Sequence, residues 1–161
     1  MAWFSVPMQT RIPVLLLTLL SACQSTATNS PATLKPFAIT SAKASGMLDA
    51  QVALWNAGDL PGFVATYWDG PELTFLGSSG LTRGSADLLA LYRQGYPTAA
   101  ARGVLSFQVL ELTPLGSEHA LLLGKYTIKG EHPSSGFFSL VLAERNGAIV
   151  ILHDHTSAAA N

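Results

Sequence analysis

Trp55-Asn56-Ala57-Gly58-Asp59-Leu60-Pro61 is the stretch that decides how this chain folds. Gly58 is the residue helices favour just past their ends, because it takes a left-handed backbone without a Cβ clash. Asp59 directly after it is a helix N-cap, and Pro61 stands in the first turn, where no backbone donor is lost. One helix therefore ends and a second begins within a residue or two. Upstream, Leu48, Val52 and Trp55 recur at helical spacing and mark the apolar stripe of the first helix, with Asp49 and Asn56 displaced around it. Downstream, Leu60, Phe63, Val64 and Tyr67 share one side of the second. Trp55 is expected in the core.

Further out, two short apolar runs, 73–76 and 81–83, flank Gly77-Ser78-Ser79-Gly80 and read as a hairpin. That turn is not a phosphate cradle, since no helix starts directly after it. Ser85 opens a third helix, with Asp87 in its first turn and Leu88, Leu89, Tyr92 and Tyr96 along one side before Pro97. The period then changes. Leu105, Phe107 and Val109 alternate with Ser106 and Gln108, and runs at 120–128, 137–143 and 149–155 follow, with turn residues in every gap. Short connections favour an antiparallel meander, so the chain reads as α+β, three helices leading into a sheet.

The first residues read differently. Arg11 precedes an apolar run, 12–20, too short for a membrane span, and Ser21, Ala22 and Cys23 follow in the order of a signal peptide. Met8 opens a more typical signal than Met1 does. Leu20-Ser21-Ala22-Cys23 resembles the lipobox of bacterial lipoproteins, and Cys23 is the one cysteine in the sequence, so lipidation at Cys23 is expected and an internal disulfide is not possible. By resemblance to lipoprotein sorting rules, Gln24 after it, in place of Asp, implies the outer membrane, facing the periplasm. From 24 to about 45 the chain is rich in Ser, Thr, Ala, Asn and Pro, the composition of a tether. The expected division is a signal peptide over 1–22, a flexible tether over 23–45 and one domain over 46–158. Nine basic and ten acidic residues, with neither sign in a block, give little support to nucleic-acid binding.

This layout resembles the nuclear transport factor 2-like superfamily, which includes SnoaL-like proteins. The Trp-Asn-x-Gly-Asp turn at 55–59, Tyr67-Trp68, Leu81-Thr82-Arg83-Gly84, Tyr96-Pro97 and the closing Leu152-His153-Asp154-His155-Thr156-Ser157 carry the resemblance. Together they look like the SnoaL-like branch related to the association domain of calcium/calmodulin-dependent kinase II. Two positions depart from it: Ala148, where many relatives have Trp, and Thr156, where the kinase domain places an Arg in its pocket. The resemblance implies a cone-shaped α+β domain, three N-terminal helices on a curved, mostly antiparallel sheet. It also implies an apolar cavity able to take a small molecule, and a homodimer formed through the sheet. Fold does not assign activity.

His153-Asp154-His155 is the densest polar cluster. Alternation places His153 and His155 on one face of their strand and Asp154 on the other, and parity does not say which face lines the cavity. Histidines facing inward would offer a general base; Asp154 facing inward would be a carboxyl raised by burial. The alternative is that these groups only stabilise the end of the sheet. Tyr67, Trp68, Tyr92 and Tyr96 are candidates to line the pocket or to be plain core. Arg83 is a candidate to hold a ligand carboxylate or to form a surface pair with Asp87 or Glu72. No cofactor is expected, and no metal, because the two histidines lack further ligands.

Overall fold

A computed structural model of the chain describes residues 38–159. The expected signal peptide, Cys23 and most of the expected tether lie outside these residues. The domain starts earlier than its composition suggests, because α1 runs Ser41–Ala57 and Thr40 caps it by accepting from the Lys43 backbone N–H. Residues 38–45, expected to be tether, therefore belong to the folded unit: Ile39 and Ala44 are core residues. The Ala38 N–H also donates to the Ser117 carbonyl at 3.0 Å, tying the entry of the chain to a turn of the sheet.

The junction at 57–59 forms as its residues dictate. Gly58 adopts φ 82°, and its N–H returns to the Leu54 and Trp55 carbonyls. Asp59 accepts from the Gly62 N–H at 2.8 Å and starts α2, Leu60–Val64. A hairpin of β1, Thr74–Gly77, and β2, Gly80–Arg83, leads into α3, Ser85–Gly95. A fourth, short helix not expected from the sequence, α4 (Ala99–Arg102), is capped by Thr98.

Four long strands follow: β3 Val104–Pro114, β4 His119–Lys129, β5 Ser134–Arg145 and β6 Ala148–Ala158. They form one curved, unclosed sheet in the order β2-β1-β6-β5-β4-β3, antiparallel throughout except where β1 runs parallel to β6. The helices and the inner face of the sheet share one core, built from Leu48, Trp55, Phe63, Tyr67, Leu88, Leu122, Leu140 and Ile151 among others.

Asn56 joins the two layers. Its side-chain carbonyl accepts from the Leu105 N–H at 2.8 Å and its amide donates to the Leu105 carbonyl at 3.1 Å, so one side chain clamps the start of β3 to the end of α1. Among the described residues no helix is long and apolar enough to cross a membrane.

Candidate functional site

The face that β6 presents is set by a bulge. Ile151 is fully buried, and on a regular strand the next inward positions would be His153 and His155. Instead Leu142 and Val141, adjacent on β5, pair with Ile151 and His153, so Leu152 is an extra residue. The bulge falls where β6 changes its other neighbour. Trp68 donates its backbone N–H to the Ile151 carbonyl at 2.9 Å, and β1 takes over as partner from His153 to His155. As a result Asp154 turns inward, 4% exposed, and the two histidines turn outward.

Asp154 stands at the wall of a cavity of about 420 Å³ enclosed by α1, α2, α3 and the sheet. Its Oδ2 accepts from the Tyr67 hydroxyl at 2.8 Å and its Oδ1 from the Thr156 hydroxyl at 2.6 Å. Burial pushes its carboxyl up to about 6, against the pull of those two hydrogen bonds and of His155. The Tyr67 and Tyr92 phenols are pushed well up, first by burial and next by the charge of Asp154. Tyr96 is raised by burial first.

Most of the remaining lining is aromatic. Trp55 meets Phe63, Tyr92 and Tyr96 edge-on, with ring centroids 5.3, 5.8 and 4.7 Å away, and Tyr92 meets Phe75 at 5.9 Å. Phe107 and Phe138 pack together on the sheet side at 5.1 Å. Gln51 and Asp154 are the buried polar side chains among the described residues, and both line the cavity. Gln51 donates to Thr66 Oγ1 at 2.7 Å. The Trp55 Nε1–H is buried with no hydrogen-bond partner among the described residues. Ser78, Ser79, Gly95, Ser134 and Ala158 are exposed lining residues and mark the mouth.

Tyr67, Tyr92, Tyr96 and Asp154 are thus brought to one cavity. The other sequence candidates are not. Trp68 is half-buried and donates its indole N–H to Glu72 at 3.3 Å, outside the lining. Arg83 is exposed and also outside it, because the inward-facing Thr82 pairs with Phe75 in the hairpin and the next residue points away. His153 Nδ1 bonds Thr74 Oγ1 at 2.7 Å on the outer face; burial and the nearby His155 lower its pKa. His155 is exposed.

Gln51, Thr156, Ser78 and Ser79 also line the cavity and were not among the site candidates of the sequence. Gln51 was detectable as a polar residue between Leu48 and Trp55 on the buried side of α1. Thr156 follows once Asp154 is known to face inward. The two serines of the 77–80 turn reach the mouth through tertiary packing alone.

No protein-family profile matches the chain, and no curated protein does. Solved structures do. A nuclear transport factor 2-like protein of unknown function from Shewanella oneidensis matches with 27% identity and a TM-score of 0.68, covering 72% of this chain and 97% of its own. A ketosteroid isomerase-like protein from Erwinia carotovora atroseptica matches with 16% identity and TM-score 0.60, over 74% of this chain and 96% of its own. An association domain of the calcium/calmodulin-dependent kinase II type from Thiobacillus denitrificans, itself a tentative assignment, matches with 16% identity and TM-score 0.62, over 79% of this chain and 98% of its own. With its helices laid on an unclosed six-stranded sheet, the described domain has the fold of the nuclear transport factor 2-like superfamily.

Proposed function

We propose that this chain is an exported, lipid-tethered binding protein that holds a small, largely apolar molecule with a polar end. The observation that carries the reading is the aromatic cavity of about 420 Å³ with Asp154, Tyr67 and Thr156 converging on its wall. Apolar walls with a few placed polar groups are the usual make-up of a ligand site. Export and the lipid anchor rest on the sequence around Cys23. N-phenyl-1-naphthylamine, a neutral dye that brightens in apolar surroundings, should give a saturable signal with the protein. Ala158→Trp, placed at the mouth, should remove that signal without changing the melting curve. A dye signal that never saturates, or one indifferent to the substitution, defeats the reading.

A second reading is acid–base catalysis on a carbonyl compound. In its favour, a carboxyl raised to about 6 is suited to take a proton near neutral pH, and one solved relative in fold is described as ketosteroid isomerase-like. Against it, the Tyr67 proton is already given to Asp154, which leaves Tyr92 as the nearby phenol for an enolate. Deuterium exchange next to the carbonyl of a cyclic ketone, faster with the protein than with Asp154→Asn, would support this reading over simple binding.

Pairing with a second copy through the outer sheet face is supported by the exposure there of Leu110 (52%) and Phe137 (51%), which with Leu123 line a shallow groove. Sedimentation of the protein and of Phe137→Glu tests it, with a shift towards monomer as the expected result.

A further inference from the structure

We propose that the cavity selects an organic cation: a primary or secondary amine on an aromatic or alicyclic body, its nitrogen held by Asp154 among the rings of Tyr67, Phe75 and Tyr92. This rests on the ligand-binding reading above and names the class of ligand.

Asp154 is the one carboxylate among the lining residues, and no Lys, Arg or His is with it. Arg83, a candidate from the sequence to hold a ligand or to form a surface pair, is exposed outside the lining, and His153 and His155 occupy the opposite face of β6. An anionic ligand would have to be buried beside a carboxylate with no cation among the lining residues, which is strongly unfavourable in a desolvated site.

A buried carboxylate is normally paired with a cation, and it has about four acceptor positions. Here, among the described residues, each oxygen accepts one hydrogen bond, and both donors are neutral hydroxyls, Tyr67 and Thr156. An ammonium group would supply both the missing charge and further donors. A neutral ligand would supply donors only.

Phe75 is the direct β1 partner of Asp154 in the sheet, Tyr67 is hydrogen-bonded to it, and the Tyr92 ring lies 5.9 Å from that of Phe75. Ring faces attract a desolvated cation and are indifferent or hostile to an anion. The Trp55, Phe63 and Tyr96 rings also line the cavity and suit a flat or bulky apolar body.

Calorimetric titration of the protein at about pH 8 with 4-phenylbutylamine, 4-phenylbutanol and 4-phenylbutyrate tests this, since there the carboxyl is ionised and the amine protonated. The amine should bind about tenfold or more tightly than the alcohol, and the carboxylate not measurably. Asp154→Asn should abolish the preference for the amine over the alcohol. If the alcohol binds and the amine binds no better, the cation proposal is overturned while the cavity reading stands. If none of the three binds, both are overturned. The comparison within the unsubstituted protein decides the matter even should the variant fold poorly.

Discussion

Asp154 is a buried carboxyl at the wall of the cavity, and its environment makes two measurable statements. A carboxyl moved from 3.8 to about 6 corresponds to about 3 kcal/mol against the folded state at neutral pH. Because the folded-state value lies above the unfolded one, this penalty is absent below about pH 4 and develops as pH rises through about 6. Denaturant unfolding of the protein and of Asp154→Asn, compared across that range, should therefore show the variant gaining relative stability with rising pH. The comparison also cancels His153, whose lowered pKa acts in the opposite direction. A flat difference between the two proteins would mean that Asp154 is not held in this environment. Tyr67→Phe removes one of the two donors to the carboxylate, at a cost of about 1.5–3 kcal/mol when Asp154 is charged. It should push the Asp154 midpoint higher still, followed by NMR of the carboxyl carbon.

Elements meet one another through a few specific contacts, and two of these carry predictions. Asn56 bonds both backbone groups of Leu105, so Asn56→Ala should lose about 1–2 kcal/mol in chemical unfolding and speed amide exchange at Leu105. Faster exchange elsewhere but not there would contradict the clamp. Gly124 pairs across the sheet with Phe138, whose ring lies where a Cβ on residue 124 would sit. Gly124→Ala should cost about 1–3 kcal/mol by forcing the buried ring from its place on the cavity wall, read as a fall in melting temperature. The junction of α1 and α2 was legible in sequence because caps are local chemistry: Gly58 and Asp59 act on backbone groups within a few residues. The start of α1 was not, since Ser41, Ala42, Lys43, Ala44 and Ser45 have the composition of a linker. Only the packing of Ala44 and Ile39 against the core distinguishes them from one. For α4, the cap at Thr98 before three alanines was a readable signal.

For the molecule as a whole, the curved sheet and the helices close one core that begins before the first helix. Ile39 has no exposed surface, so Ile39→Ala should destabilise the domain by about 2–5 kcal/mol, the range for a large-to-small change at a packed site. A loss within a few tenths of a kcal/mol would return residues 38–40 to the tether. Hydrophobic period, capping residues and turn chemistry by themselves determined that this chain makes helices first and a meander of strands afterwards. Each of those signals acts over a few residues. The Trp-Asn-x-Gly-Asp turn and the His-Asp-His ending pointed to the family of folds for the same reason. The tertiary structure decided which way that ending faces. The inward turn of Asp154 depends on one unmatched residue, Leu152, counted against β5 and placed where β6 passes from the Thr66–Trp68 segment to β1. A bulge is a mismatch between strands distant in the chain, so nothing in the sequence of β6 alone displays it.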